Sequence, residues 1–121
     1  MRPLAGVDLE ETARFEQLLH NEHFCRRVYT GDELDHIRTS GHSAACAAGI
    51  FCAKEAAAKA LGRGLFGLLP RELEVTWDGR GAPAMTLHGS AADQYPGAVL
   101  VLSITHKGGL AAAICTGFLP E

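Results

Sequence analysis

Long apolar runs are missing from this chain. The longest, Ala44 to Ala53, falls far short of the roughly 20 residues a helix needs to cross a bilayer. Paired metal-type cysteines are missing too. The four cysteines, Cys25, Cys46, Cys52 and Cys115, form no CxxC pair, and several stand in apolar stretches where a free thiol behaves as a small hydrophobe. There is no excess of positive charge: 11 Lys and Arg against 14 Asp and Glu leave a net charge of −3, which gives no general pull toward nucleic acid or an anionic membrane. Met1-Arg2-Pro3 leads straight into a short apolar stretch with an acidic end, unlike a secretory signal. A reducing, cytoplasmic setting is the expectation. Internal repeats, low-complexity tracts and Pro/Ser linkers are likewise absent, so 1–121 reads as a single domain.

Present instead is an ordinary globular balance, 47% hydrophobic and 21% charged residues, which argues against disorder. A chain of this size buries roughly two thirds of its unfolded surface. Much of the apolar content is alanine, so the core is expected to be thin and a subunit interface to complete it.

Residues 4–8 read as a short strand ending in an acid. Residues 11–20 read as a helix with Phe15, Leu18 and Leu19 on one face. Thr30 and Glu33 have the spacing of a capping box and open another helix. The longest helix is predicted from Ser43, as N-cap, to Leu61, with Gly62 ending it. Residues 73–77 and 84–87 alternate with period two around a turn at 78–83. Val99 to Thr105 and Leu110 to Thr116 read as strands joined by a loop over 106–109. Early helices followed by late antiparallel strands give an α+β fold, with a long central helix packed on a small antiparallel sheet.

Three places carry chemistry. In Lys54-Glu55-Ala56-Ala57-Ala58-Lys59 an apolar helix admits three charges. Glu55 and Lys59, four apart, either form an exposed ion pair or face a phosphate and a hard cation such as Mg2+. Asp8, at a strand end, is either a turn residue or a second carboxylate for that cation. His106 is either a plain turn histidine or a phosphate contact. Arg14, Arg26 and Arg27 are surface arginines or a basic patch for an acidic partner. His20, His23 and Cys25 have a metal-like spacing without a second cluster.

Taken in order, these pieces resemble the holo-acyl-carrier-protein synthase family of small 4′-phosphopantetheinyl transferases. The resemblance rests on Gly6-Val7-Asp8 with Glu11, Arg14 and Phe15, and on Arg27-Val28-Tyr29-Thr30-Gly31-Asp32-Glu33-Leu34. It rests further on the block Phe51, Ala53-Lys54-Glu55-Ala56, Lys59-Ala60-Leu61-Gly62 and Gly64, on Gly81-Ala82-Pro83, and on Ser103-Ile104-Thr105-His106 before Ala111-Ala112-Ala113. One position departs: Ile50 stands where the family commonly has arginine.

The resemblance implies transfer of the 4′-phosphopantetheine arm of coenzyme A to a serine of an apo acyl carrier protein, in fatty acid or polyketide biosynthesis, with release of 3′,5′-ADP. It implies Mg2+ held by Asp8 and Glu55, with Glu55 or water as base. Lys59 would stabilise the pyrophosphate, and Lys54, Lys59, Gly62, Gly64, Pro83 and His106 would line the coenzyme A site. Arg14, Arg26 and Arg27 would meet the acidic carrier. It also implies a homotrimer with active sites at subunit boundaries. The alternative is a relative that binds coenzyme A or a carrier protein without turnover; a bland third reading is a small interaction protein.

Overall fold

The computed structural model describes residues 1–120. The chain order is β1 (Arg2–Glu11), α1 (Arg14–Leu18), α2 (Glu22–Val28), α3 (Gly31–Thr39), α4 (Ser43–Ala60), two short 3-10 turns (Leu65–Gly67, Pro70–Glu72), β2 (Leu73–Trp77), β3 (Pro83–Leu87), α5 (Gly89–Gln94), β4 (Val99–Lys107) and β5 (Leu110–Leu119). One antiparallel sheet runs in the order β1-β5-β4-β3-β2. The expected α+β architecture, a long helix on a small antiparallel sheet, is what forms.

Small side chains let α4 lie close against β1, β5 and β4. Ala47, Ala48, Ala53, Ala56, Ala57 and Ala58 are fully buried, and two glycines make the closest approaches. A Cβ on Gly6 would sit 2.0 Å from the carbonyl oxygen of Ala56 and 2.7 Å from the nitrogen of Ala60. A Cβ on Gly49 would sit 2.9 Å from the Ile104 side chain. The Gly6 clash is with backbone and cannot relax by a rotamer change. Gly6→Ala is therefore expected to cost about 3 kcal/mol, at the upper end for overpacking, read as a lower urea midpoint at unchanged m.

Alternation along β1 turns Leu4, Gly6, Asp8 and Glu10 toward α4, while Val7 and Leu9 face away. The far side of β1, β5 and β4 is apolar and bare. Val7, Leu9, Val99, Val101, Leu110, Ile114 and Phe118 are all exposed on it, with Val7 opposite Ile114 and Phe118 opposite Val99.

Several elements differ from their sequence reading. β1 is twice as long as 4–8, because β5 pairs with it from Arg2↔Leu119 to Glu11↔Leu110. That pairing takes residue 11 from the helix predicted over 11–20, which shrinks to Arg14–Leu18. α2 and α5 were not anticipated. Ser43 does not cap α4: His42 occupies the cap position, and the Ser43 hydroxyl donates to the Ile37 carbonyl at 3.2 Å. The α4 terminus does match. Gly62 takes φ +79°, its N–H donates to Lys59 O and that of Arg63 to Ala58 O, a Schellman arrangement. The capping box at Thr30 and Glu33 is complete. His106 lies within β4 and not in the hairpin loop, which is only Gly108-Gly109, both left-handed.

Candidate functional site

The junction of β1 with the C-terminal half of α4 gathers charge. Asp8 reaches it from β1, and Glu55 and Lys59 from successive turns of α4. Lys59 Nζ donates to Asp8 Oδ1 at 3.0 Å and to the Val7 carbonyl at 3.0 Å. The Asp8 side chain is only 10% exposed and that of Lys59 50%. The second Asp8 oxygen, Oδ2, is buried and receives no hydrogen bond. Burial raises the Glu55 carboxyl above its ordinary range and the Asp8 charge raises it further, while Lys59 opposes. A hydrogen bond from its own ammonium to Asp8 lifts Lys59. Asp8 and Glu55, remote in sequence, therefore share one site.

A third carboxylate was not anticipated. Glu10 sits two residues beyond Asp8 on the same face of β1, with its side chain 15% exposed, and it accepts a short hydrogen bond from Arg14 Nη1. Burial raises its carboxyl, contact with Asp8 adds to the rise, Arg14 lowers it and Glu55 raises it. The signal was available: a strand continued past Asp8 puts residue 10 on the Asp8 side. The Cys52 thiol lies beneath the two β1 acids, donates to Ala111 O, and is pushed up to about 12, chiefly by burial.

The donor set suits a hard divalent cation. Two carboxylates from different elements, Asp8 and Glu55, face one place, one with a buried oxygen that accepts no hydrogen bond, and Mg2+ typically takes one or two protein carboxylates and completes its shell with phosphate and water. Among the described residues no group of three or more His, Cys, Asp or Glu is placed to hold a metal ion by itself. That holds also for His20, His23 and Cys25.

Pro83 and His106 meet Ile50 in a second place, a cavity of about 180 Å3 also lined by His36, His42 and Trp77. The His36 ring stacks on Trp77 at 3.6 Å, and the His42 and His106 rings lie 5.3 Å apart. A cleft with such walls suits a flat heterocycle, and Ile50 gives its wall no charge.

Lys54 requires correction as a ligand-binding residue. It is fully buried and its ammonium is spent inside the fold, on Glu33 Oε1 at 2.8 Å, Pro70 O at 2.9 Å and Leu73 O at 2.7 Å. Burial pulls it below its ordinary range and Glu33 pulls it back. Gly64 has an ordinary φ of −75° and open space where a Cβ would go, so the fold does not demand glycine there. The three arginines are exposed but not equivalent. Arg14 pairs with Glu10, Arg26 with Glu22 at 3.3 Å, and Arg27 lies 4.6 Å over the Phe66 ring. No helix among the described residues is long and apolar enough to cross a membrane, and all four cysteines are free.

A fold of this shape is that of a known transferase class. A model described as the 4′-phosphopantetheinyl transferase superfamily matches residues 5–115. The chain is 44% identical over 92 residues to the holo-[acyl-carrier-protein] synthase of Halorhodospira halophila, covering 74% of this chain and 73% of that protein. It is 36% identical over 112 residues to the corresponding protein of Caldicellulosiruptor saccharolyticus, covering 89% of each. The crystal structure of Helicobacter pylori holo-[acyl-carrier-protein] synthase in complex with coenzyme A superposes with a TM-score of 0.85 at 26% identity, over 95% of this chain and 100% of that one. The ACPS–CoA complex of Chronobacterium ammoniagenes gives 0.84 at 27% identity over the whole of both chains. The chain belongs to the 4′-phosphopantetheinyl transferase superfamily and is an enzyme of that family.

Proposed function

We propose that this enzyme transfers the 4′-phosphopantetheine arm of coenzyme A to a serine of an apo acyl carrier protein and releases 3′,5′-ADP. The observation that carries the reading is the convergence of Asp8, Glu55 and Lys59 on one side of β1, with a buried Asp8 oxygen left open to a cation. Its relatives are holo-[acyl-carrier-protein] synthases, and two solved relatives hold coenzyme A.

The serine oxygen forms a bond to the β-phosphorus of coenzyme A, and the bond from that phosphorus to the 3′,5′-ADP oxygen breaks. Asp8 and Glu55 would hold Mg2+, which when bound neutralises charge on the pyrophosphate oxygens. Lys59 stands beside them with one face exposed, placed to receive negative charge as the leaving group departs. Glu55 or a water would take the serine proton. Pro83 and His106 would hold the adenosine end in the cavity they share. Arg14, with Arg26 and Arg27, would face the acidic carrier.

The test is direct. The protein is incubated with coenzyme A, Mg2+ and apo carrier proteins, and the products are weighed. A phosphopantetheine adduct on one serine, dependent on Mg2+, is expected; absence of any adduct with every carrier would leave only a binding protein.

The working form would be a homotrimer. The apolar face built by Val7, Leu9, Val99, Val101, Ile114 and Phe118 is a continuous patch of the kind that marks a protein interface, and closed symmetric assembly would cover it. Light scattering at assay concentration is expected to give three times the chain mass, with transfer fading on dilution. A fully active monomer would overturn the assembly while leaving the reaction intact.

A further inference from the structure

Arg14 is an exposed cation beside Glu10, and it is already engaged. Its side chain is 55% exposed while that of its partner Glu10 is 15% exposed. The pair joins the end of β1 to the start of α1, so it is not a solvated pair along one helix. Glu10 faces Asp8 on its own strand, Arg14 on α1, and Glu55 and Cys52 on α4. Lys59 is committed to Asp8 Oδ1 and the Val7 carbonyl. Three carboxylates thus share two cations in a partly buried place, one negative charge in excess. One oxygen there, Asp8 Oδ2 on a side chain 10% exposed, accepts no hydrogen bond.

Resting on the proposed function, we propose that Glu10 is a positioning residue that couples the divalent-cation site to carrier docking through Arg14. A divalent cation held by Asp8 and Glu55 would set two positive charges near the Glu10 carboxylate, which already feels both of those acids. One carboxylate cannot serve both cations fully. Its hold on Arg14 weakens, and the exposed guanidinium turns outward to an acidic partner. The converse follows: a partner that takes Arg14 leaves Glu10 unneutralised beside the cation, which then binds more tightly. Linkage requires the two effects to be the same factor.

The two affinities are measured without turnover, on the intact protein at physiological salt and with no coenzyme A. The partner is an apo carrier protein whose acceptor serine is replaced by alanine, titrated calorimetrically with and without Mg2+. Cation affinity is read from free Mn2+ by electron paramagnetic resonance, with and without that carrier. Saturating Mg2+ is expected to tighten carrier binding about tenfold, and the carrier to tighten Mn2+ by the same factor, near the low end of usual couplings. In Glu10→Gln both factors should fall to about one, with carrier affinity in the absence of metal already near the wild-type metal-bound value. Arg14→Gln should tighten Mn2+ about tenfold without any carrier, an effect that loss of structure would not produce. Equal coupling in the wild type and Glu10→Gln, or weaker Mn2+ binding in Arg14→Gln, overturns the proposal. Carrier and Mn2+ that both bind but ignore each other also overturn it and leave the proposed reaction standing. Absence of Mn2+ binding under every condition overturns the cation site itself.

Discussion

Asp8→Asn and Glu55→Gln are each expected to lower transfer by on the order of a thousandfold, the scale of losing one preorganised electrostatic group at a reacting phosphate. Neither carboxylate replaces the other, because they reach the site from different elements and each would supply its own oxygen to hold the cation. The same changes should not weaken the fold. Asp8 raises the carboxyls of both Glu10 and Glu55, a sign of repulsion among acids gathered in one place. Its Oδ2 is buried with no donor, so the asparagine amide removes charge from a crowded acid cluster. Stability of Asp8→Asn should equal or exceed that of the wild type, which marks a residue kept for function at some expense of stability. Mass spectrometry of the carrier after incubation reads the first effect and urea unfolding the second. Near-normal transfer by either variant would remove the metal assignment. Unfolding of Asp8→Asn at markedly lower urea would mean that the Lys59 pair holds β1 to α4.

How far the site was legible in the sequence depends on the element that carries it. The helix α4 announces the end of its charged block, because Gly62 is placed to stop it, and the period of 3.6 puts Glu55 and Lys59 on one side. Asp8 was legible as an acid at a strand but not as the neighbour of Glu55, since nothing in spacing sets a strand beside a particular helical turn. Gly6 sets it, by letting the Ala56 carbonyl approach where a side chain would stand. Glu10 was hidden by a competing pattern. Glu10-Glu11-Thr12 before Ala13-Arg14-Phe15 looks like the acidic first turn of a helix, and only the partner strand β5, paired as far as Glu11↔Leu110, keeps those acids extended. Lys54 misled for a related reason. Next to Glu55 and near Lys59 it looks like one member of a charged face, but one residue along a helix is about 100° around it. That rotation carries Lys54 away from the cation site to a buried side, against α3 and β2.

That burial gives the largest stability effect expected in the chain. Lys54 makes three contacts through its three ammonium protons, to Glu33, Pro70 O and Leu73 O. Glu33 in turn accepts from Thr30 N and from Val75 N, each at 2.8 Å. The pair therefore ties α4 to α3, to the 3-10 turn at Pro70–Glu72 and to β2, with every polar atom satisfied. Lys54→Met keeps much of the apolar stem but leaves the Glu33 carboxylate buried with no cation. Breaking such a pair costs about 3–5 kcal/mol, which for a domain of this size lowers the melting temperature by roughly 15 °C. Replacing both partners, with Glu33→Leu added, should recover part of that loss, because no uncompensated charge then remains. Coenzyme A titrated into Lys54→Met at low temperature, where the protein is still folded, should bind as it does to the wild type. A variant that melts normally but loses coenzyme A would restore Lys54 to the ligand site. A melting point lowered as expected, with binding intact, places Lys54 among the residues that hold the site's framework and leaves Lys59 as the only lysine of the block in reach of phosphate.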